Sequence, residues 1–281
     1  MTKDTAMTEL KSNDVLLRGL RVHYKEVGTG PALVLVHGFL VNHREWMPVV
    51  PYLAPHFRCI IPDLPGFGAS EKREPTAFSY TREGFAETLA DLMSALDLTK
   101  ANLAGHSMGG GIALTLAADR PELINKLCVV DSMCYPFELS LKAKLPFLPV
   151  FGPLLFKKIY GRSLFHDYFK NDVWSGHAGI DMKVVDEYYD DFNPPDAREA
   201  AYAALQITQD LASLGPKIAR IKKNTLVIWG DDDRIIPMGL GQRLAREIPG
   251  ARLRVIEKSC HAPNEEHPAE VAAMMLEHFQ G

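Results

Sequence analysis

Residues 105–110, Gly-His-Ser-Met-Gly-Gly, carry the strongest signal in this sequence. They lie directly after a short apolar run that ends at Ala104 and directly before a helical pattern over residues 112–118. A serine at a sharp strand-to-helix turn needs small residues two positions away on either side, because its backbone is strained and neighbouring chain passes close by. Gly105 and Gly109 meet that need. The stretch therefore predicts that the hydroxyl of Ser107 is presented above a sheet as a nucleophile.

Short β-branched runs alternate with helical patterns on both sides of this turn. Such alternation is typical of an α/β fold in which helices cover a mostly parallel sheet. Apolar residues at helical spacing between residues 85 and 96 predict one helix of this kind, and two more are predicted at residues 240–247 and 269–279. The predicted strand runs are residues 33–36, 59–61, 102–104, 127–130, 226–229 and 253–256.

The alternation is interrupted after Asp131. Residues 135–214 contain scattered prolines and aromatic residues with helical stretches but no convincing strand, which predicts an inserted helical cap, or lid. The flanking residues 15–134 and 215–281 are then the core domain. Residues 1–14 are polar and lack the regions of a secretory signal, so we expect a disordered tail there.

Composition excludes several classes of function. The chain has 281 residues, 47% hydrophobic and 23% charged, with a formal net charge of -4. It offers no basic field for nucleic acid, and no apolar run reaches the roughly 18 to 20 residues that span a bilayer. We therefore expect a cytoplasmic protein that acts on a small molecule. Its four cysteines lack Cys-x-x-Cys spacing and are expected to be free, buried thiols: Cys59, Cys128, Cys134 and Cys260.

Hydrolysis through Ser107 requires two backbone donors for the charged oxygen of a tetrahedral intermediate. The helix that begins after Ser107 directs unpaired N–H groups at incoming negative charge, so Met108 N–H is one predicted donor. A second donor is expected at the end of the first strong strand, where His37-Gly38-Phe39 can present the Phe39 N–H.

A serine hydroxyl needs a base, and the base needs an acid that orients it. His261 follows a strand run and precedes the last helix, which places it in a loop at the carboxyl edge of the sheet. For the acid, three adjacent aspartates follow the strand that ends at Trp229, and Asp131 is a rival at a neighbouring strand end. A metal site at the three aspartates is not expected, because no histidine or cysteine ligands have suitable spacing.

Together these motifs resemble the α/β-hydrolase family, and the resemblance covers about residues 15–280. The order serine, acid, histidine matches that fold. Related members carry a Gly-x-x-Asp-x-x-x-Pro pattern, which Gly230, Asp233 and Pro237 match, so the resemblance selects Asp233 over its two neighbours. Ser259-Cys260-His261-Ala262-Pro263 is similar to the histidine loop of the family.

The resemblance implies a serine hydrolase without a cofactor. Haloalkane dehalogenases and epoxide hydrolases, whose caps are loosely similar, use an aspartate nucleophile, and Ser107 argues against their reactions. The implied activity is hydrolysis of short- to medium-chain or monoacylglycerol-like esters through an acyl-enzyme on Ser107, with His261 as base and Asp233 as its acid. Carbon–carbon bond hydrolysis, lactone opening and perhydrolysis would use the same triad, and a non-catalytic receptor or scaffold is the alternative of another class.

One apolar stretch of the predicted cap, residues 145–156, suits a hydrophobic acyl pocket. Ordinary packing of the cap on the core would explain the same pattern. Because Lys157 and Lys158 follow directly, weak contact with a membrane surface is a third interpretation. Acyl length, natural substrate, stereochemical preference and oligomeric state stay open at the level of sequence.

Overall fold

The computed structural model describes residues 9–176 and 181–281. Its centre is an eight-stranded sheet with the order β1-β2-β4-β3-β5-β6-β7-β8. Strand β2 is antiparallel to both of its neighbours, β1 and β4, whereas β3 through β8 are parallel to one another. The strands are β1 Lys11–Leu17, β2 Leu20–Val27, β3 Ala32–Val36, β4 Arg58–Pro62, β5 Ala101–His106, β6 Ile124–Val130, β7 Thr225–Gly230 and β8 Arg252–Ile256.

Both faces of the parallel part are buried, because helices cover each side. Along β3, Val34 and Val36 point into one apolar core, while Leu33 and Leu35 point into a second core on the opposite face. Strands buried on both faces consist largely of apolar runs, which is why the sequence located β3 to β7. The edge strand β8 was also located, although most of its side chains are exposed. The helices that flank the sheet are α1 Val50–Leu53, α2 Arg82–Ala95, α3 Met108–Asp119, α10 Met238–Glu247 and α12 Pro268–Gln280.

The chain between β6 and β7 forms the helical insertion, defined here as residues 131–224. Within its described part it contains helices and turns but no strand. Short 3₁₀ and π segments connect the helices, so the chain bends often. The helices are α4 Leu141–Lys144, α5 Phe151–Leu154, α6 Arg162–Tyr168, α7 Met182–Phe192, α8 Pro195–Leu205 and α9 Gly215–Ile218. The division of the chain into a core domain and a cap domain stays a prediction.

The N-terminal part of the sheet corrects the sequence analysis. A disordered tail was expected over residues 1–14, but β1 begins at Lys11 and pairs with β2 from Lys11 opposite Glu26. The prediction is therefore wrong for residues 11–14, and residues 1–8 lie outside the described residues. An edge strand is held by backbone hydrogen bonds to its neighbour, so β1 forms although most of its side chains are polar and exposed.

The parallel strands bring distant parts of the chain to one edge. Because their carboxyl ends lie at the same rim, the loops after β3, β5, β6, β7 and β8 meet there. Among the described residues, no helix combines the length and the hydrophobicity needed to cross a bilayer.

Candidate active site

Ser107 stands at a strained turn between β5 and α3. Its φ of 51° lies in the left-handed region, which a non-glycine residue rarely occupies. Its N–H donates to the Val130 carbonyl, and its own carbonyl accepts from the Gly111 and Met133 N–H groups. These bonds hold the turn against its strain. Such strain persists only where the surroundings fix the backbone, and it directs the hydroxyl away from the sheet.

The two glycines that flank the turn have no room for a side chain. A Cβ at Gly105 would collide with the Gly109 backbone, and a Cβ at Gly109 would collide with the carbonyls of Val36 and His37. The sequence argument for small residues two positions either side of Ser107 is therefore confirmed by the packing.

Three side chains from three loops form one hydrogen-bonded line. His261 Nε2 lies 2.9 Å from Ser107 Oγ, and His261 Nδ1 lies 3.0 Å from Asp233 Oδ2. The second carboxylate oxygen of Asp233 accepts the N–H groups of Ile235 and Ile236 at 2.8 and 2.9 Å. Since the Asp233 side chain is fully buried, these bonds fix both its position and its direction.

The other aspartates of the same loop point elsewhere. Asp231 and Asp232 are exposed, and Asp232 pairs with Arg234. The rival acid Asp131 is buried, and its Oδ1 accepts from the Gly230 N–H at 2.9 Å, while Oδ2 has no partner among the described residues. Burial and the neighbouring charge of Asp233 raise the pKa of Asp131 well above its ordinary value.

The predicted oxyanion donors, Phe39 and Met108, lie at the same rim. Met108 is the first residue of α3, so its N–H has no acceptor inside the helix. Within residues 9–176 and 181–281, no hydrogen bond uses the Phe39 N–H either. The loop that holds Phe39 is fixed by His37, whose Nε2 accepts from the Leu64 N–H and whose Nδ1 donates to the Gly38 carbonyl.

Sequence reasoning missed the acids that surround this line. Glu45 is buried beside His106, with 2.6 Å between Oε1 and Nδ1. Glu265 accepts from Trp174 Nε1 and Tyr188 Oη at 3.0 and 2.8 Å, which ties the helical insertion to the rim. Burial and the charge of Glu45 raise the pKa of Glu265 to about 7. No local pattern marks these residues, because Glu45 meets a partner 61 positions away and Glu265 a partner 77 positions away.

One group of potential metal ligands, His106, Asp131 and His261, lies within the described residues. Both ring nitrogens of each histidine already have hydrogen-bond partners, and those of His261 are Ser107 and Asp233. A metal would therefore break the line of three side chains. The absence of a metal or cofactor from the function stays a prediction.

The four cysteines are buried and unpaired with one another. Cys260 precedes His261, but its thiol donates to the Asp172 carbonyl and burial raises its pKa to about 12. A thiol with so high a pKa is a poor nucleophile at neutral pH.

Comparisons with known proteins identify the family to which this fold belongs. Residues 31–268 match the family described as alpha/beta hydrolase fold. The uncharacterized hydrolase YugF of Bacillus subtilis is 32% identical over 88% of each chain. The 2-hydroxymuconate semialdehyde hydrolase of Pseudomonas sp. strain CF600 is 30% identical, over 93% of this chain and 91% of that protein. A membrane phospholipase A described as a bacterial virulence factor is 25% identical with a TM-score of 0.82, over 97% of this chain and 86% of that one.

The family match spans most of the chain, and the relatives are aligned along nearly their whole length. The fold, with its mostly parallel sheet flanked by helices, is the one expected of that family. This chain belongs to the α/β-hydrolase family.

Proposed function

We propose that this protein is a serine hydrolase in which Ser107 attacks a carbonyl carbon and forms an acyl-enzyme. The observation that carries the proposal is the line of Ser107, His261 and Asp233, with contacts of 2.9 and 3.0 Å. His261 accepts the hydroxyl proton, Asp233 stabilises the imidazolium, and the Phe39 and Met108 N–H groups receive the negative oxygen. His261 then gives its proton to the leaving group and activates water for the second step.

The first candidate for the bond that breaks is a carbon–carbon bond beside a ketone or aldehyde. The 2-hydroxymuconate semialdehyde of the named relative contains no ester or amide, so its hydrolase must cleave the carbon skeleton. In such a substrate the tetrahedral intermediate collapses by expelling carbon. The electron pair enters the conjugated system as an enolate, and the proton on His261 completes the departing molecule. The similarity to that relative supports carbon–carbon hydrolysis more directly than ester hydrolysis.

Ester hydrolysis is the second candidate, and the charges at the site favour it. Four carboxyl groups lie at this rim, and within the described ranges no lysine or arginine forms a hydrogen bond or ion pair with any of them. These carboxyl groups belong to Glu45, Asp131, Asp233 and Glu265. A muconate semialdehyde carries a carboxylate, which would find no cationic side chain among these hydrogen bonds, whereas an ester is uncharged and needs none. The similarity to a phospholipase A also supports an ester substrate.

A fluorophosphonate probe tests the shared chemistry. Wild type is expected to be labelled, and Ser107→Ala is expected to lose labelling and hydrolysis by roughly a million-fold, because no other group supplies the nucleophile. Labelling of Ser107→Ala would contradict the nucleophile assignment. A folded wild type that is not labelled would favour the non-catalytic receptor or scaffold.

A substrate panel then decides which bond breaks. Turnover of 2-hydroxymuconate semialdehyde is compared with that of p-nitrophenyl esters of increasing acyl length and of a lactone. Carbon–carbon hydrolysis predicts a kcat/KM for the semialdehyde that exceeds every ester value by at least about tenfold, and the reverse order would establish the ester candidate. Perhydrolysis is tested with the same esters in the presence of peroxide. The cytoplasmic location stays a prediction.

A further inference from the structure

A buried pair of titratable side chains, Glu45 and His106, lies beside the nucleophile without a role in the mechanism above. Glu45 belongs to the short 3₁₀ turn His43–Trp46 after β3, and His106 is the last residue of β5. They are 1% and 3% exposed, and Glu45 Oε1 lies 2.6 Å from His106 Nδ1.

The hydrogen bond made by the second ring nitrogen of His106, Nε2, indicates which atoms of the pair carry protons. His106 Nε2 lies 2.6 Å from the backbone carbonyl of His261. A carbonyl can only accept, so Nε2 carries a proton and donates it. One further proton lies between Nδ1 and the Glu45 carboxylate. Whichever atom holds that proton, the pair is neutral overall and both hydrogen bonds are made, which explains why it can be buried.

Burial and the charge of Glu45 have opposite effects on the pKa of His106. Burial alone would lower the pKa of His106, but the charge of Glu45 and its hydrogen bond outweigh burial and raise that pKa above its ordinary value. The charge of Glu265 acts in the same direction.

The pair connects two loops of the site. Glu45 Oε2 accepts the Gly38 N–H at 2.9 Å, and Gly38 directly precedes Phe39. At the other end, His106 holds the backbone of His261. The packing is tight, because a Cβ at Gly38 would lie 3.0 Å from His106 Nδ1 and 3.3 Å from the Cβ of Ser107.

We propose that Glu45 and His106 are positioning residues that set the distance between the Phe39 N–H and the His261 imidazole across Ser107. They act through the backbone of each loop and touch neither substrate nor the reacting atoms. This inference rests on the proposed function. A displacement of about 1 Å at such a site costs roughly 100-fold in rate, so the hydrogen bonds of the pair matter to the bond-forming step rather than to substrate affinity.

Two substitutions at position 45 separate hydrogen bonding from charge. In Glu45→Gln the amide oxygen can accept from Gly38 and the amide NH₂ can donate to a neutral His106, so every hydrogen bond is kept. In Glu45→Ala the Gly38 N–H and His106 Nδ1 both lose their hydrogen-bond partner. The saturation kinetics of fluorophosphonate labelling give an affinity and a bond-forming rate constant for each folded variant.

We expect Glu45→Ala to lower the bond-forming rate constant by roughly 100-fold with its affinity for the probe nearly unchanged, and Glu45→Gln to stay within about threefold of wild type. A residue with only a structural role would lower thermal stability and leave the rate constant of the folded fraction unchanged, which would overturn the proposal. An equal loss in folded Glu45→Gln would also overturn it, because hydrogen-bond geometry would not be the cause.

If Glu45→Ala does not fold, NMR of the wild-type protein tests the proposal independently. In ¹⁵N-histidine-labelled protein, with His106 assigned by comparison with His106→Gln, Nε2 of His106 is expected to carry a proton from pH 6 to pH 8. An unprotonated Nε2 overturns the link to His261 even if Ser107 is labelled normally. If Ser107 of wild type is not labelled, the proposed function fails, and the positioning role fails with it.

Discussion

The rim of the sheet and the helical insertion are stabilised in different ways. At the rim, Ser107, Asp233 and His261 are fixed by directional hydrogen bonds to backbone and to one another. In the insertion, aromatic rings pack together with centroids 5.0 to 6.3 Å apart. The rings of this aromatic cluster are Phe156, Phe165, Phe169, Tyr188, Tyr189 and Phe192.

This difference suggests that the rim carries out the reaction and that the insertion selects the substrate. A hydrogen-bonded line tolerates little displacement, whereas an apolar cluster tolerates other shapes if the volume is preserved. Phe156 of the insertion stacks on Phe39 of the rim at 6.4 Å, which places the cluster next to a proposed oxyanion donor. We therefore expect changes at the rim to abolish reaction and changes in the insertion to alter stability and substrate range.

After the loss of Ser107 itself, the largest effect is expected at the acid of the rim. Asp233→Asn should lower kcat by about 10,000-fold, because the amide favours the wrong tautomer of His261. Asp131→Asn keeps an acceptor for Gly230 and should cost less than about tenfold. Asp232→Asn, at an exposed position, is the control and should have no effect. If Asp131→Asn loses more activity than Asp233→Asn, the acid has been assigned to the wrong strand end.

A cavity in the insertion should lower stability without abolishing chemistry. Phe165 is fully buried and contacts the rings of Phe169, Tyr189 and Phe192. Phe165→Ala should reduce the free energy of unfolding by about 3 to 5 kcal/mol, as measured by urea titration, while Phe165→Leu should cost much less. The folded fraction of either variant should keep a labelling rate within several-fold of wild type. A loss of 100-fold or more would show that the insertion helps to position the rim.

Glu265 of the rim bonds to Trp174 and Tyr188 of the insertion. Ionisation of its carboxyl group should make the stability of the protein depend on pH. Its pKa is raised to about 7 from an ordinary 4.5, so the folded protein holds this proton more tightly than the unfolded chain does. Its contribution to stability is fully present below pH 4.5 and is lost as the pH rises through 7. As the pH rises from 5 to 8, the free energy of unfolding of wild type should therefore fall by about 1 to 3 kcal/mol relative to that of Glu265→Gln, which has no proton to lose.

The control for that measurement is the exposed Glu138, whose side chain is 90% accessible. Thermal unfolding of Glu138→Gln should follow the wild-type pH curve. If Glu265→Gln also follows the wild-type curve, the carboxyl of Glu265 ionises normally in the folded protein.

The smallest effect is expected at the surface of the insertion. Val150 and Phe151 are 89% and 49% exposed, and the neighbouring Lys158 is also exposed. Weak membrane contact predicts that Val150→Glu combined with Phe151→Glu lowers sedimentation with anionic vesicles by about tenfold. Leu16→Glu changes an equally apolar, 71% exposed position on β1 and should have no effect. Equal sedimentation of all three proteins would exclude contact through this surface.

The sequence located the buried elements well because their signals are local. The parallel strands β3 to β7 are mostly apolar and buried, and the stripe from Phe85 to Met93 lies within α2 with its apolar residues buried. The edge hairpin was missed. Its strand β1 is mostly polar, so only pairing with β2 reveals it.

The sequence by itself determined the turn at Ser107, the strand ends and the loops in which His261 and Asp233 lie, because each depends on residues that are neighbours in the chain. Only the tertiary structure decided that these loops meet within hydrogen-bond distance, that Asp131 bonds to Gly230 while Asp233 contacts His261, and that Glu45 and His106 form a buried pair. Charge, burial and hydrogen bonding between residues far apart in sequence depend on the distances that folding creates, and no local pattern encodes them.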